Sequence, residues 1–312
     1  MRIIIIGGTG FIGRALAGQL DKAGHWPVII SRNLVKARTI FGDKMEIRFW
    51  DGRSPEILTP LLEGADAIIN LAGETIGIKL WTKRQKKKIM TSRVGLGSIL
   101  VASMKGCENP PAVFIQGSAI GYYGPVTETA CTEDHPRGAG FMAALTEAWE
   151  LSIVPLSEHG IRLIYLRSGP VFGPRGEFLQ RLHEPFRFGF GLVPGNGKNW
   201  LSWIQLEDEV AAIHFLLESE SHSGPFNLVA PEPITMGDLV REMAQLLGRR
   251  LIFTVPEFIL KLVMGEMARE VVLASQKIVP SRLLQAGFRF TYPSADKALR
   301  ASLLNNYNKV QA

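Results

Sequence analysis

The sequence predicts an α/β fold built on a doubly wound parallel sheet, followed by a smaller, partly helical C-terminal region. Short apolar strands rich in β-branched residues alternate with helical segments through the first two thirds of the chain. The first strand runs into a glycine-rich turn that opens directly into a helix. Beyond Gly173 the strict alternation stops. Regular βαβ alternation gives parallel strands, because each crossover helix returns the chain to the same end of the sheet.

The predicted strands share a short, apolar composition and cover Arg2 to Ile6, Val28 to Ser31, Ile47 to Trp50, Ala67 to Leu71, Ala112 to Gln116, Arg162 to Leu166 and Phe226 to Val229. Helical spacing of apolar residues predicts helices at Phe11 to Ala23, Leu34 to Phe41, Pro55 to Leu62, Thr82 to Lys105, Gly140 to Ser157 and Leu206 to Leu217. Ligands of such sheets bind beyond the carboxyl ends of the strands, so the residues that follow each strand are the candidate site.

The turn from Gly7 to Gly13, Gly-Gly-Thr-Gly-Phe-Ile-Gly, fits two related dinucleotide-binding fingerprints. Gly8, Gly10 and Gly13 fit the G-x-G-x-x-G form, and Gly7, Gly10 and Gly13 fit the shifted form with an additional spacer residue. In either register the glycines let the backbone approach a pyrophosphate at a helix N-terminus, where free N–H groups favour an anion. The turn therefore predicts a Rossmann-type nucleotide-binding domain.

The end of the second strand predicts which dinucleotide binds. An NAD site usually places Asp or Glu about 20 residues beyond the glycines to hold the ribose 2′-hydroxyl. This chain has Ser31 and Arg32 there, and no carboxylate before Asp43. An arginine at this position accommodates a 2′-phosphate, so the sequence favours NADP(H) as cofactor. The alternative is an ordinary exposed arginine at a strand end.

Composition agrees with an enzyme-sized protein of 312 residues, 46% of them hydrophobic. Cys107 and Cys131 match no metal-binding spacing, and we expect two reduced thiols, no metal and a cytoplasmic location. The longest apolar run is far shorter than the roughly 20 residues that span a bilayer, so no membrane partner is expected. The formal net charge is +6, with basic residues concentrated between Lys83 and Lys88. A solvated helix face explains this run better than a nucleic-acid site.

Five ordered segments resemble landmarks of the extended and atypical short-chain dehydrogenase/reductase superfamily. They are the glycine turn Gly7 to Gly13, Asn70 to Glu74, Ser118 to Gly124, Arg167 to Gly173 and Trp203 to Asp208. The segment Ser275 to Phe290 is similar to the small C-terminal domain of that superfamily's epimerase-family branch. The resemblance runs nearly from end to end of the chain, and it implies an NADP-binding Rossmann domain with a small-molecule substrate.

The resemblance also implies roles for individual residues at the cofactor. Thr9 to Ile12 would cover the pyrophosphate, Ser31 and Arg32 the adenosine phosphate, and Leu71 to Gly73 the adenine-side ribose. Lys88 and Arg93 lie on the long helix that approaches the cofactor in the family, with Arg93 the stronger candidate. Val171 would offer backbone hydrogen bonds to the nicotinamide amide. The predicted cofactor contacts are Gly7, Thr9, Gly10, Phe11, Ile12, Ser31, Arg32, Leu71, Ala72, Gly73, Lys88, Arg93 and Val171.

The predicted catalytic site departs from the superfamily. Its enzymes use a Tyr-x-x-x-Lys pair to move the substrate proton, and a nearby Ser or Thr to orient the substrate. Here no lysine occurs between Cys107 and Gly197, and Phe141 and Leu145 stand at the Tyr and Lys positions. Ser118 matches the orienting residue. Tyr122 and Tyr123 are candidate replacements for the missing tyrosine, with packing as their alternative role.

We expect a nucleotide-binding domain over residues 1–174, with 203–230 completing its sheet, and a smaller substrate-side domain from 175–202 and 231–312. Gly176 to Leu192 is interpreted as a lid over a substrate cavity, and Trp203 to Asp208 as closing the sheet edge. Two functional classes remain open: an NADP(H)-dependent oxidoreductase or sugar-nucleotide-epimerase-like enzyme, and a non-catalytic NADP(H)-binding redox sensor or interaction protein. A homo-oligomer is compatible with either.

Overall fold

The computed structural model describes residues 1–77 and 79–310, with backbone alone for 126–128 and 304–310. Its strands are β1 Arg2–Ile6, β2 Trp26–Ser31, β3 Glu46–Phe49, β4 Ala67–Asn70, β5 Val113–Ala119, β6 Val126–Cys131, β7 Arg162–Ser168, β8 Val171–Phe172, β9 Phe190–Pro194, β10 Trp200–Leu201, β11 Ile204–Gln205, β12 Gly224–Leu228, β13 Ile234–Thr235, β14 Leu251–Val255 and β15 Gln276–Ile278. The α-helices are α1 Phe11–Lys22, α2 Leu34–Phe41, α3 Pro55–Leu62, α4 Lys83–Met90, α5 Leu96–Lys105, α6 Phe141–Leu151, α7 Glu177–His183, α8 Leu206–Glu218, α9 Met236–Leu246, α10 Glu257–Met264, α11 Ser281–Gln285 and α12 Ala295–Val310.

The main sheet has seven strands in the order β12-β7-β5-β4-β1-β2-β3, and every neighbouring pair is parallel. This confirms the predicted doubly wound α/β fold. The strand order reverses between β1 and β4, where the chain first winds outward to β3 and then returns to the other side of β1. Such a reversal opens a crevice at the carboxyl ends of the two central strands, which is where a Rossmann fold binds its nucleotide.

The four isoleucines of β1 show why this strand is apolar at every position. Ile3 and Ile5 face the core cluster that includes α1 and α8, whereas Ile4 and Ile6 face the cluster that includes α3 and α5. All four side chains are at most 3% exposed. A strand covered on both faces has no solvent side, so its sequence loses the alternation of an amphipathic strand.

The long helix predicted from Thr82 to Lys105 is present and contains one irregular turn. Thr82 caps α4 by accepting a hydrogen bond from the Gln85 N–H, and α4 continues into α5 through a π-helical turn at Thr91–Gly95. A π turn of this kind inserts one extra residue into the helix and is frequent at functional sites. Here it contains Arg93, a predicted cofactor contact.

Two predicted elements differ in the structure. The helix expected from Gly140 to Ser157 ends as α6 at Leu151, and a short 3-10 helix follows at Val154–His159. Pro155 lies in the first turn of that 3-10 helix, where its missing N–H cannot continue the α-helical hydrogen bonding. The segment expected to close the main sheet instead forms β11, which pairs with β8 in a separate two-stranded ladder. The edge strand of the main sheet is β12.

The C-terminal segments form a second apolar core beside the sheet. It gathers α7, α9 and α12 around the buried Trp203, whose ring stacks on Phe172 at a centroid distance of 4.7 Å. The predicted lid region contains α7, a 3-10 helix at Glu184–Phe188 and β9, which pairs in parallel with β14. No described helix is long and apolar enough to cross a bilayer.

Candidate cofactor and substrate site

The glycine turn has the shape that a dinucleotide pyrophosphate requires. Gly7 adopts a φ of +85°, and a Cβ there would lie 2.7 Å from the Ala72 nitrogen. A Cβ on Gly13 would lie 2.5 Å from the Gly7 carbonyl oxygen, so side chains are excluded at both positions. The turn closes with a hydrogen bond from the Gly10 N–H to the Gly7 carbonyl oxygen at 2.9 Å. This compact turn holds β1 against the start of α1.

The N-terminus of α1 is available for an anion. The helix begins at Phe11 after Gly10, which has no side chain to cap the first N–H groups. Unsatisfied N–H groups and the helix dipole together attract negative charge at this end. The first turn also contains no acidic residue that would oppose an anion. The turn and helix therefore fit a pyrophosphate.

A cavity of about 600 Å³ opens beside this turn, at the carboxyl ends of β1, β2 and β4. The predicted cofactor residues that line it are Gly7, Thr9, Ser31, Arg32, Ala72, Gly73 and Lys88. Additional lining residues come from α2, the loop after β3, and the π turn, and include Asn33, Lys36, Gly52, Arg53, Ser92, Gly95 and Leu96. The cavity lies at the switch point of the sheet, where the fold places an adenosine.

The β2 end of this cavity is basic. Arg32, Lys36 and Arg53 all contribute to its wall, and the Arg32 side chain passes close to Gly52, where a Cβ would come within 3.1 Å of its Cδ. Asn33 caps α2 by accepting the Lys36 N–H at 2.9 Å, which turns the helix N-terminus toward the same region. Three cations and a helix N-terminus in one wall suit a phosphate group.

Asp51, which follows β3 beside this wall, uses its carboxylate within its own loop. Asp51 accepts hydrogen bonds from the Arg53 N–H, the Ser54 N–H and the Ser54 hydroxyl, at 2.9, 2.9 and 2.6 Å. The bonds from Ser54 and Arg53 hold the pKa of Asp51 below its usual range, so it stays ionised but occupied. The end of β2 carries Ser31 and Arg32, so no acidic side chain there competes with a 2′-phosphate. Ser31 hydrogen-bonds to Asn33 in a tight local turn.

Arg93 is a buried cation with incomplete pairing. Its side chain packs on Gly73, donates from Nη1 to the Glu74 carbonyl oxygen at 2.9 Å, and lies 4.8 Å from the centre of the Trp149 ring. Its Nε atom is buried without a hydrogen-bond partner among the described residues. Burial lowers the pKa of Arg93 to about 10, which leaves it charged at neutral pH. A buried charge of this kind fits a ligand anion or ribose hydroxyl that completes its hydrogen bonding.

Lys88 occupies the outer edge of the same cavity. Its ammonium forms a 3.1 Å ion pair with Glu74, whose pKa is lowered chiefly by the hydrogen bond from Lys88. Glu74 is thereby held in a salt bridge at the edge of the cavity. The neighbouring Lys86 points the other way, over the Phe141 ring at 4.7 Å and toward Glu266.

The other predicted cofactor residues, Arg93 among them, do not line this cavity. Gly10, Phe11 and Ile12 form the start of α1, and Leu71 donates its N–H to the Ile6 carbonyl oxygen at 2.8 Å. Val171 lies in β8 opposite Ile204, and the pairing there uses the carbonyl of Pro170. Phe11 approaches β8 as well, because a Cβ on Gly173 would come within 3.0 Å of its ring. The glycine turn, β8 and the start of α8 therefore meet at one place.

Ser118 lies at the carboxyl end of β5 and is bound to a buried ion pair. Its hydroxyl donates to Glu150 Oε1 at 2.6 Å, and Glu150 receives two parallel hydrogen bonds from Arg167 at 2.8 and 2.9 Å. Glu150 comes from α6 and Arg167 from the adjacent strand β7. Because the hydroxyl proton of Ser118 is directed at Glu150, its oxygen lone pairs remain free to accept a hydrogen bond.

The two candidate tyrosines have different surroundings. Tyr123 is 1% exposed, and its hydroxyl donates to Asn227 Oδ1 at 2.6 Å while it accepts from Arg167 at 2.9 Å. Burial raises the pKa of Tyr123 well above its usual range, against an opposing effect of Arg167. The structure therefore places Tyr123 in the core rather than on a cleft wall. Tyr122 is half-buried, with its ring 3.5 Å from the Arg167 guanidinium carbon.

The first turns of α6 carry Phe141 and Leu145, the residues predicted to stand at the Tyr and Lys positions of the usual proton-transfer pair. Leu145 is fully buried, and Phe141 packs edge-on against Trp81 at a centroid distance of 5.0 Å. The N–H groups of Phe141 and Met142 are capped by Glu270 at 3.0 and 2.8 Å. In this chain these positions build an apolar wall that the C-terminal segment holds in place.

Several site residues escaped the sequence reasoning. Arg167 lies in one of the five family-like segments, and Lys36, Trp149 and Glu150 lie in predicted helices, but none of them carried an assigned role. Arg53 lies outside all of these segments. Trp149 links Arg93 to Gly117, where a Cβ would come within 3.4 Å of its ring. A carboxylate and an arginine in apolar surroundings are a signal of a buried ion pair, but the sequence does not show that Glu150 and Arg167 face each other.

A parallel sheet with a reversal point, a glycine cradle and a basic nucleotide cavity define a Rossmann-type protein of the short-chain dehydrogenase/reductase kind. The model of the NAD dependent epimerase/dehydratase family matches residues 3–228. A domain of unknown function, DUF1731, matches residues 255–302. The chain belongs to the NAD dependent epimerase/dehydratase family.

Relatives match over nearly the whole chain. It is 34% identical to the epimerase family protein YfhF of Bacillus subtilis over 302 residues, covering 96% of this chain and 97% of that one. The human epimerase family protein SDR39U1 is 30% identical over 303 residues, covering 96% and 99% of the two chains. A crystal structure of human SDR39U1 (isoform 2) with NADPH superimposes with a TM-score of 0.86 at 29% identity, covering 98% of this chain and all of that one.

More distant structures share the fold. The Thermus thermophilus UDP-glucose 4-epimerase in complex with NAD has a TM-score of 0.78 at 18% identity, and the alignment covers 96% and 97% of the two chains. The NADPH of one relative and the NAD of the other show that this fold accepts both dinucleotides. Selection between them depends on the residues at the end of β2.

Proposed function

We propose that this protein is an NADP(H)-dependent oxidoreductase in which Ser118, rather than a Tyr/Lys pair, holds the substrate oxygen. The basic wall of Arg32, Lys36 and Arg53 carries the cofactor part of this proposal. A 2′-phosphate brings two negative charges to the end of β2, and these cations would pair with it. NADPH in a human relative of similar fold supports the same choice. Asp51, which could otherwise receive the 2′-hydroxyl of NAD, is occupied within its loop.

The other cofactor contacts follow from the fold. The N-terminus of α1 would receive the pyrophosphate. The unpaired Arg93 Nε would donate a hydrogen bond to a ribose hydroxyl or a phosphate oxygen of the cofactor. A bound nicotinamide supplies hydride donation or acceptance at its C4 atom. Phe141 and Leu145 of the apolar wall described above, and Trp149 against Gly117, would exclude water from this side of the cofactor. Exclusion of water favours hydride transfer over side reactions.

Ser118, at the carboxyl end of β5, would orient a substrate alcohol. With its proton committed to Glu150, its oxygen would accept a hydrogen bond from a substrate hydroxyl. The proton of the substrate hydroxyl would pass to the Ser118 oxygen while the Ser118 proton passes to Glu150 along their 2.6 Å hydrogen bond. Both carboxylate oxygens of Glu150 already accept hydrogen bonds from Arg167, so we expect slow turnover compared with an enzyme that has the Tyr/Lys pair.

Cofactor titration with matched arginine variants tests the first part of the proposal. NADPH should bind the purified protein more tightly than NADH, and Arg32→Ala should reduce that preference by about 10-fold or more, the value of one charge-assisted bond. Arg38→Ala is the control, because Arg38 lies on α2, which follows Arg32 in the chain, is exposed, and is not among the residues of the cavity wall. Equal affinity of the wild-type protein for NADPH and NADH would overturn the assignment.

A non-catalytic NADP(H)-binding role is the second candidate, and one observation favours it. Neither Phe141 nor Leu145 can transfer a proton, and Leu145 is fully buried. A protein that senses the NADPH to NADP⁺ ratio needs the cofactor cavity but not a proton-transfer pair. The Ser118 to Glu150 hydrogen bond would then be a purely structural part of the buried network.

Isotope transfer separates the two candidates. The protein would be incubated with NADPH carrying deuterium at C4 and a panel of aldehydes, ketones and nucleoside-diphosphate sugars, and products would be examined by mass spectrometry. Deuterium in a product, reduced at least tenfold by Ser118→Ala but not by Ser157→Ala, supports the oxidoreductase. Ser157 is an exposed serine on the 3-10 helix that follows α6. Tight NADPH binding without transfer to any panel member favours the sensor.

A further inference from the structure

A cluster of two histidines and a glutamate lies at the ends of two helices of the nucleotide-binding domain. His25 follows α1 in the turn that leads to β2, while His214 and Glu218 lie in the last turns of α8. The Nε2 atoms of His25 and His214 are 3.0 Å apart. The same Glu218 oxygen, Oε1, lies 3.6 Å from the His25 nitrogen and 3.3 Å from the His214 nitrogen. Three potential ligand atoms therefore converge on one point.

The spacing of these atoms suits tetrahedral coordination. Zinc bonds to imidazole nitrogen and carboxylate oxygen are about 2.0–2.2 Å long, which sets ligand atoms of a tetrahedral site about 3.3–3.5 Å apart. The three observed separations, 3.0, 3.3 and 3.6 Å, bracket that value. The imidazole planes are perpendicular, at an interplanar angle of 90°. The two rings can therefore present their Nε2 atoms to one ion from different directions.

The helices explain why the three groups meet. His214 and Glu218 are four residues apart on α8, so they share one face and project one above the other. The N-termini of α1 and α8 also lie together, because Phe11 and Leu206 would each come within 3.0 Å of a Cβ on Gly173. The two helices therefore run side by side in the same direction, and His25 meets His214 where both end.

Hydrogen bonding between the side chains explains the cluster less completely. A pair of neutral imidazoles shares one N–H between two facing Nε2 atoms, so it makes a single bond. That arrangement leaves no donor for the Glu218 oxygen that lies near both nitrogens. An ion accepts electron pairs from all three atoms at once, and the single carboxylate partly balances its charge. Both histidine side chains are sheltered, at 11% and 16% exposure, whereas Glu218 is 57% exposed and leaves an approach from solvent.

We propose that His25, His214 and Glu218 bind a divalent transition-metal ion of the zinc type that joins the C-terminal ends of α1 and α8. Two imidazoles and one carboxylate suit Zn²⁺, with a water molecule as the fourth ligand. The ion links residues 189 positions apart in the chain. The site lies at the opposite end of α1 from the glycine turn, so its role is to fix against α8 the helix whose N-terminus would receive the pyrophosphate.

Metal binding to the full-length protein tests this proposal. The protein, free of any polyhistidine tag and stripped of metal by chelation, would be dialysed against ZnCl₂ and its metal content measured by atomic emission. We expect the wild-type protein to bind one Zn²⁺ ion. His25→Ala and His214→Ala should lower the Zn²⁺ affinity more than about 10-fold, because removal of a direct ligand costs more affinity than removal of a residue that supports a ligand. Co²⁺ in place of Zn²⁺ should show the strong visible absorption of a tetrahedral site.

Two further variants keep the test decisive if a histidine substitution impairs folding. Glu218→Gln changes an exposed side chain and should weaken Zn²⁺ binding while circular dichroism stays unchanged. His159→Ala is the control, because His159 is exposed and lies outside the cluster. Zn²⁺ at about 100 times its Kd should raise the Tm of the wild-type and His159→Ala proteins by about 5 °C, but not that of the ligand variants. Equal Zn²⁺ binding by wild type, His25→Ala and Glu218→Gln would overturn the proposal.

Discussion

Glu209 illustrates how a single buried group can set a property of the whole protein. It lies in the first turn of α8, is fully buried, and accepts a hydrogen bond from the Ser168 hydroxyl at 2.7 Å. Its second carboxylate oxygen has no hydrogen-bond partner among the described residues. Burial raises the pKa of Glu209 to about 8, with a small opposing effect of the Ser168 bond. The folded protein therefore keeps this carboxyl protonated at neutral pH.

This pKa predicts a loss of stability as pH rises from about 4.5 to about 8. In the unfolded chain Glu209 ionises near pH 4.5, so its contribution to folding is complete below that pH and falls as pH rises toward 8. Glu209→Gln mimics the protonated form and removes this dependence. Between pH 6 and 8, the wild-type protein should lose up to about 2 kcal/mol relative to Glu209→Gln, measured by urea denaturation at each pH.

Glu207 provides the matched control for that measurement. It lies in the same turn of α8 but is exposed, so Glu207→Gln should keep the wild-type pH profile. Parallel profiles for the wild-type and Glu209→Gln proteins would show that Glu209 is ionised in the folded state.

At the scale of the element, the glycine turn and α1 form the unit on which the proposed cofactor binding depends. Gly13 and Gly18 are both glycines within α1, but their surroundings differ. A Cβ on Gly13 would meet the backbone of Gly7 and Gly8 at 2.5 and 2.7 Å, whereas a Cβ on Gly18 meets nothing within 4 Å. The first glycine is required by close packing, and the second is not.

Alanine substitution at Gly13 should therefore lower NADPH affinity, whereas substitution at Gly18 should not. Gly13→Ala forces the turn away from α1, and we expect NADPH affinity to fall at least about 10-fold as the pyrophosphate site is distorted. Gly18→Ala should leave affinity unchanged and stabilise the helix by about 0.5–1 kcal/mol, because alanine has the higher helix propensity. Fluorescence titration with NADPH and thermal denaturation measure the two effects. Unchanged NADPH affinity in Gly13→Ala would contradict this account of the turn.

At the scale of the whole molecule, the C-terminal segment holds the nucleotide-binding domain at α6. Glu270, in a π-helical turn at Ala268–Val272, caps the first two N–H groups of α6, and Glu266 pairs with Lys86 of α4. The Glu270 contacts join residues about 130 positions apart in the chain, and the Glu266–Lys86 contact joins residues 180 positions apart. The helix that carries Glu150 is thereby positioned from outside its own domain.

Removal of this cap should loosen α6 without unfolding the sheet. Glu270→Ala leaves two N–H groups without a partner, and we expect a loss of about 1 kcal/mol, typical of an N-cap. Hydrogen exchange at the first turns of α6 should become faster, while exchange in β1 and β4 stays slow. Glu257→Ala is the control, since Glu257 pairs with Lys261 on its own helix. Exchange in α6 that is equally fast in both variants would contradict the role of Glu270.

Much of the fold followed from local patterns along the chain. All seven strands of the main sheet were predicted within a few residues, because a strand covered on both faces is apolar at nearly every position. The end of α6 was not predicted, since the apolar spacing continues past Leu151 and only the missing N–H of Pro155 interrupts it. The partner of β11 was also missed, because two-residue strands have no periodicity.

The sequence by itself determined the nucleotide fold, the glycine cradle and the basic end of β2, because each depends on residues that are close together in the chain. The tertiary structure decided which distant side chains share one site. It paired Ser118 with Glu150 and Arg167, buried Tyr123, and brought His25 to His214 across 189 residues. Such contacts depend on how helices pack on the sheet, and one sequence records the outcome of that packing without showing which residues meet.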